Sequence, residues 1–511
     1  MVGRDAAVPA PTWGVFTAKN DTARTGQNTN ETALTPENVN ASQFGKLFSM
    51  PVDGYVYAQP LFASGVTLAD GTLRDVVLAA TEEDSIYAFD PDARGAVLWH
   101  RSFLGPGVTA IPAADTPDYW DLVPVIGITG TPVIDPTTST LYVVVATKEP
   151  GPTYVQRLHA LDLATGDDRA GSPVIIAGSV VNSTDASVAF DALAHLQRPA
   201  LLLANGRIYV GLGSHGDVDP YHGWLMAYDA RSLAEVAVFC TTPDAMEGSF
   251  WQGGDGLAAD GDGNIYGETA NGTFDGVTDF SDSAVKLSPS LALLDWFSPY
   301  NQADLSAHDL DFGSAGPLLL PDQPGPVPHV AIATGKPGFL YVLDRDAMGH
   351  IRPTDDSQIV QTVPVDPNTR IGGQELGIFT TPAYWNGSLY LAPVNGQLSQ
   401  YSVSAGTLSA VPVAQAARSF AFPPPHLSVS ADGAAHGVVW GIEGDGSAPS
   451  NPAVLRAYDA ANVAIELYGS DMAPGGRDTA GAAVKFTTPT IANGRVFVPT
   501  QTEITVYGLL P

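Results

Sequence analysis

From Tyr55 onward the chain alternates short apolar runs with Gly- and Pro-rich breaks. Within each run, small, apolar and aromatic residues alternate with polar ones, the period of half-buried strands. One kind of run recurs. It opens on a Pro or a small polar residue and continues as an apolar strand: AQPLF (Pro60), GTPVID (Pro132), QRPALLL (Pro199), GGDGLAA (Asp255), SAGPLLL (Gly316), TTPAYW (Pro382), PHLSVS (Leu427) and TTPTIA (Pro489). Between Pro60 and Pro489 these openings fall roughly 61 residues apart. A second run follows in most units (VVLAAT, LYVVVAT, RIYVGLG, VAIATG, RVFVPTQ), then a third (SIYAFD, RLHALD, WLMAYD, FLYVLD, VLRAYD).

Eight units of this kind predict an all-β chain folded as an eight-bladed β-propeller. The last unit ends at ITVYGLLP without a fourth strand, whereas GKLFSMPVD (45–53) has no partner nearby in sequence. Pairing the two closes the ring and removes its open edges. Seven blades is the alternative, because the unit around Leu427 is the least regular. Residues 1–44 are polar and turn-rich and are expected to form an extended N-terminal arm wrapping the outside of a single propeller domain, 45–511.

Composition narrows the class. Charged residues are only 15% of the 511, and the 53 Gly and 41 Pro suit a fold with many short turns. Asp and Glu outnumber Lys and Arg 54 to 23, for a net charge of −31. Such a surface repels nucleic acid and anionic membranes. The single cysteine, Cys240, excludes an intramolecular disulfide and any c-type haem attachment motif. No apolar run is long enough for a transmembrane helix. The start, MVGRDAAVPAPTW, lacks the apolar core of a leader. The expectation is a secreted or periplasmic protein whose leader has been removed.

The candidate chemistry lies where one strand hands over to the next. Trp251, Asn271, Asp311 and Lys336 bring an aromatic plate, an amide, a carboxylate and an ammonium to one end of a central channel. A planar, anionic, metal-bound cofactor would need that set. Each residue also has a plainer reading. Asp311 could cap a turn, Asn271 before Gly could be a left-handed turn residue, Lys336 before Pro-Gly a solvated lysine, and Trp251 core. Several histidines, among them His195, His215, His222, His308 and His426, fall on the same loops. If three of them converged they would favour a transition metal.

These residues resemble the eight-bladed quinoprotein alcohol dehydrogenases, which bind pyrroloquinoline quinone (PQQ). GKPGFLYVLDRD (335–346) is similar to the segment whose basic residue contacts the quinone, a role that falls on Lys336. AHDLDFGS (307–314) resembles the His-Asp-x-Trp-Asp-Tyr loop and puts Asp311 at the catalytic position. IYGETANGTFD (265–275) resembles the Gly-Thr-Gly-Asn-Gly loop and makes Asn271 a metal ligand. Trp251 lies near the place of the stacking tryptophan. ALDLATG (160–166) echoes the blade-locking turn. The family's adjacent cysteine pair is absent from VIGITGTPV (125–133), and its metal-binding Glu has Asp217 or His215 as nearest counterpart.

The resemblance implies Asp311 and Lys336 as catalytic residues and Trp251, Arg198, Lys336 and Thr129 as cofactor contacts. The implied metal ligands are Asn271, Asp217, Asp311, His215 and His308. The function expected is oxidation of an alcohol or sugar hydroxyl with PQQ and Ca²⁺ or another metal ion. The substrate would be a small molecule, and the electrons would leave to a separate acceptor. Two alternatives stand beside it: a propeller enzyme with a His-bound metal and no quinone, acting as an oxidase or lyase, and a non-catalytic propeller serving as scaffold or binding module.

Overall fold

The computed structural model describes residues 11–117, 121–151, 153–365, 377–444 and 450–511, with 446 and 448. Eight antiparallel sheets stand around one axis, and their inner strands are those the repeat predicts. Blade 4 is the simplest: Ala258–Ala259, Ile265–Glu268, Ala284–Leu287 and Leu293–Phe297 follow one another outward.

The period of two is what stacks the blades. In blade 3, Ile208, Val210, Leu212, Trp224 and Met226 pack toward blade 2, against Tyr142, Val144 and Leu158. The intervening Tyr209, Leu225 and Ala227 pack the other way, on Leu257, Ile265 and Val285 of blade 4. A strand buried on both faces needs apolar residues at nearly every position, which explains the run-like sequence signal.

Blade 8 is closed as expected. Phe44–Pro51 lies antiparallel to Glu503–Leu509, from Phe44 opposite Leu509 to Pro51 opposite Glu503, with a bulge between Lys46 and Phe48. The unit around Leu427 is a full blade, so the count is eight, not seven. It carries an extra inner strand, Gln27–Asn28, paired in parallel with Val429 and Ser430.

That pairing corrects the expected path for residues 13–28. They do not wrap the outside. They thread the channel and meet each inner strand, and Leu34, Val39 and Phe44 then pack between blades 7 and 8. Trp13–Val15 pairs with Phe62–Ser64 of blade 1. The Phe16, Thr22, Ala23, Thr25 and Gly26 carbonyls then accept from the Ile134, Ala259, Leu319, Tyr384 and Val429 amides of blades 2, 4, 5, 6 and 7, at 2.8–2.9 Å. Arg24 donates to Leu201 O in blade 3 and to Leu257 O in blade 4. Asn28 Nδ2 donates to Ile491 O in blade 8 at 2.8 Å. The physical reason is that the free edges of eight inner strands need hydrogen-bond partners. A polar, turn-rich segment supplies them, so its composition reports channel lining rather than solvent exposure.

Candidate active site at the channel mouth

Loops leading into the inner strands and loops leaving the second strands meet at one mouth of the channel. Asp217 follows Arg207–Ser214 of blade 3, and Asn271 follows Ile265–Glu268 of blade 4. Asp309 and Asp311 sit between the helix Gln302–Ala307 and the turn Phe312–Ser314, ahead of blade 5. Lys336 follows Val330–Thr334 of blade 5. Carboxylate oxygens of Asp217, Asp309 and Asp311 lie within 4.8 Å of one another.

Lys336 Nζ stands 2.6 Å from Asp309 Oδ1 and 2.6 Å from Asp311 Oδ2. The Asn271 backbone N–H donates to Asp311 Oδ1 at 3.0 Å, and its Nδ2 donates to Asp309 Oδ1 at 3.0 Å. Asn271 Oδ1 is buried with no hydrogen-bond partner. Asp217 Oδ1 accepts from Ser214 Oγ at 2.9 Å and from the Tyr221 hydroxyl at 2.8 Å. Asp311 is 4% exposed. Burial alone would lower the Lys336 pKa, but Asp311 and Asp309 outweigh it and hold the ammonium above its ordinary value. Burial, then the Asp311 charge, raises Asp217. Below the cluster, fully buried Asp282 accepts from the Phe312 amide at 3.0 Å and so positions the Asp311 turn. Burial pushes the Asp282 carboxyl well above the carboxylate range.

The other half of the mouth is aromatic and cationic. Trp251 meets Phe379 and Phe486 edge to face, both at 5.7 Å, and those two rings stack at 5.8 Å. Phe422 closes on both from the side. The Arg198 guanidinium and the Lys336 ammonium each lie 5.7 Å from the Trp251 ring centre. Arg198 and Lys485 lie 5.2 Å and 5.6 Å from that of Phe486. Asp121 binds both of those cations, Arg198 at 3.1 Å and Lys485 at 2.5 Å. Burial opposes its ionisation, yet the two cations hold it down at about 2. Deeper in the channel, buried Asp255 accepts from the Thr381 amide at 2.6 Å and pairs with His426 Nδ1 at 3.2 Å.

Six of the sequence candidates therefore converge: Asp217, Asn271, Asp311 and Lys336 in the carboxylate cluster, with Trp251 and Arg198 beside it. Three take other places. His308 is an exposed helix-end residue whose Nδ1 bonds to Asp304 O at 2.8 Å, which corrects its expected part in a metal centre. His215 is buried near Asp121, whose charge it favours, and lies outside the carboxylate group. Thr129 donates to Glu82 Oε2 at 3.1 Å and is taken up there rather than at the cofactor contacts expected of it. The histidines do not converge. His195 Nε2 accepts from the His222 amide, and His426 is engaged with Asp255. Among the described residues, the one group of three or more metal-ligating side chains is the three aspartates. Gln374 and Glu375, on the lead-in to blade 6, lie outside the described residues.

Sequence reasoning placed Asp309 on a candidate loop without giving it a role, and passed over Asp121, Glu82, Lys485, Phe379 and Phe486. One signal was present for the two phenylalanines. Phe-Thr-Thr-Pro occurs at both 379–382 and 486–489, in the same lead-in position of two units.

The residues present fit a metal ion and a planar polyanion. Three carboxylates beside a buried, unpartnered amide oxygen make an oxygen donor set for a hard cation. Arg198, Lys336 and Lys485 around Trp251 and Phe486 offer three positive charges and flat apolar faces.

No protein-family profile matches the sequence, and no curated protein sequence does. Solved structures share the fold. The quinohemoprotein alcohol dehydrogenase from Comamonas testosteroni superposes with a TM-score of 0.61 at 14% identity, over 98% of this chain and 81% of that one. The quinohemoprotein alcohol dehydrogenase ADHIIG from Pseudomonas putida HK5 gives 0.59 at 14% identity, over 97% and 80%. A europium-containing methanol dehydrogenase gives 0.62 at 12% identity, over 98% of both chains. The chain thus shares the eight-bladed propeller fold of these structures at low sequence identity.

Proposed function

We propose that this protein is a metal-dependent quinoprotein dehydrogenase that oxidises an alcohol or sugar hydroxyl and passes the electrons to a separate acceptor. The observation that carries the reading is the buried Asp311 carboxylate, held between the Asn271 amide and Lys336, with the orphaned Asn271 Oδ1 beside the aspartate cluster. Asp217, Asp309, Asp311 and Asn271 would hold the ion, and Trp251, Arg198, Lys336 and Lys485 the cofactor. When bound, PQQ supplies a two-electron acceptor and the metal ion supplies Lewis acidity.

The chain's own residues do the rest. Asp311 accepts the proton of the substrate hydroxyl as general base. The Asn271 N–H fixes its Oδ1 at 3.0 Å, and Lys336 holds its Oδ2 at 2.6 Å. Lys336 also offers a fixed positive charge to an oxyanion beside the buried Asp311. The aromatic group around Trp251 excludes water from that half of the mouth. The N-terminal segment fills the channel below, so substrate enters and product leaves by the same mouth. No helix of the described residues is long and apolar enough to cross a membrane. A secreted or periplasmic setting agrees with the acidic surface.

Calorimetry of metal-stripped protein with PQQ and either Ca²⁺ or a lanthanide tests the reading. Binding is expected only with metal present, and both Asp311→Ala and Lys336→Ala should weaken it by about tenfold or more, the scale of one charged contact. Absence of binding to the wild-type protein under any metal condition would overturn it.

A further inference from the structure

We infer that Glu82 and Asp84 form a buried site for a hard divalent cation, Ca²⁺ in the first place, at the junction of blades 1 and 2. The site is separate from the three aspartates of the mouth and does not depend on the function proposed above.

The two residues stand on the turn that joins Leu73–Thr81 to Ser85–Asp90 in blade 1. An acidic turn at the end of a blade ordinarily reaches water. Here Glu83 is half-buried, but Glu82 and Asp84 are both 0% exposed. The lead-in to blade 2 covers them. The Gly127 amide donates to Glu82 Oε2 at 2.6 Å, and the Thr129 hydroxyl donates to the same oxygen at 3.1 Å. A Cβ on Gly127 would stand 2.4 Å from the Glu82 carbonyl oxygen and 2.7 Å from Asp84 Oδ1. Only a glycine there lets the covering segment close over the pair.

Three carboxylate oxygens remain unfilled. Glu82 Oε1, Asp84 Oδ1 and Asp84 Oδ2 are buried without a hydrogen-bond partner. The Ala146 amide is near enough to favour the charged form of Asp84, yet completes a hydrogen bond to neither oxygen. Buried polar groups are nearly always satisfied, and an orphaned one calls for a water or an ion.

The neighbouring charges decide for an ion. Arg198 acts on Glu82, but the charges that act most strongly on Asp84 are those of Glu82, Glu83 and Asp53, all of its own sign. Two buried like charges must be neutralised by protons or by a cation. A proton on each carboxyl still leaves acceptor oxygens facing no donor. One divalent ion cancels both charges and fills all three oxygens, and an all-oxygen donor set suits Ca²⁺ rather than a soft metal. In the ion-free protein the pair stays neutral by holding protons, so protons and the ion compete for the same oxygens.

The experiment titrates Ca²⁺ alone into metal-stripped protein by calorimetry at about pH 8, in about 150 mM NaCl to screen weak surface binding. It compares wild type, Asp84→Asn, Glu82→Gln and the double variant Asp217→Asn with Asp309→Asn, each first checked for a native melting transition. Asp84 stands at φ 52°, a conformation that Asn tolerates as Asp does, so Asp84→Asn removes the charge and keeps the turn. One Ca²⁺ should bind the double variant as it binds wild type, and both turn variants should weaken it about tenfold or more, the scale of one charged contact. That result supports the site whether or not the mouth takes a metal. Ca²⁺ binding that is lost in the double variant and unchanged in both turn variants overturns the inference and leaves the mouth reading standing. Absence of saturable Ca²⁺ binding to wild type also overturns it, while the mouth reading still turns on its own titration with PQQ. If neither turn variant folds, hydrogen exchange on wild type decides: Ca²⁺ should slow the amides of residues 82–84 and 127–129, and unchanged rates there overturn the site.

Discussion

Glu82, on the turn after the second strand of blade 1, has its carboxyl wholly out of solvent. Its Oε2 accepts from the Gly127 amide at 2.6 Å and from Thr129, and its Oε1 has no hydrogen-bond partner. Burial pushes it from an ordinary 4.5 up to about 7. The folded protein therefore binds this proton more tightly than the unfolded chain. Stability contributed here is complete below about 4.5 and falls as pH rises to about 7, by roughly 3 kcal/mol at about 1.4 kcal/mol per pKa unit. Glu82→Gln keeps the shape and an acceptor oxygen without the charge. In chemical denaturation the variant should be the more stable protein at pH 8 and equal to wild type near pH 4. A wild type that gains stability from pH 5 to pH 8 relative to the variant would contradict this. Nothing in TEEDS (81–85) distinguishes Glu82 from its neighbours. Its burial comes from Gly127 and Thr129, which arrive from the next blade. Asp309 lay on a candidate loop, but its role stayed hidden because it depends on the Asn271 side chain reaching it from 38 residues away.

Two elements close the ring. Phe44–Pro51 completes blade 8, and Phe44 lies against Trp440, Tyr468 and Tyr507. The channel-threading segment ties the inner strands together through Arg24, which is 0% exposed and bonds to Thr17 Oγ1 and to the carbonyls of Ala18, Leu201 and Leu257. Replacing Arg24 by Met would leave those buried acceptors short of donors. The expected loss is about 3 kcal/mol or more, read as a lower denaturation midpoint with an unchanged denaturant slope. A loss under about 0.5 kcal/mol, the size of an ordinary surface change, would show that the segment is not a structural pin. The closing strand was legible because an unpaired strand and an incomplete blade imply each other. The threading path was not, because polar turn residues read alike in solvent and in a hydrogen-bonded channel.

The whole molecule carries a formal net charge of −31. Self-repulsion of that size opposes compactness and is screened over about 10 Å at 0.1 M salt. Raising NaCl from about 10 mM to about 150 mM should therefore raise the melting temperature by a few degrees. A fall would mean that surface ion pairs such as Arg101–Asp168 outweigh the net repulsion.

At this scale the sequence by itself determined the class of fold and the closing strand, and it favoured eight blades while leaving seven open. Those follow from the alternation and spacing of apolar residues, which are local properties repeated eight times. It also singled out Trp251, Asn271, Asp311 and Lys336, because each stands at a strand junction and all such junctions on one end of a propeller face the same mouth. Only the tertiary structure decided which of the junction residues meet. Lys336 spans Asp309 and Asp311 within one blade, but Asp121 reaches Arg198 and Lys485 from 77 and 364 residues away. Contacts across the axis depend on how eight separate loops converge, and no periodicity along the chain encodes that convergence.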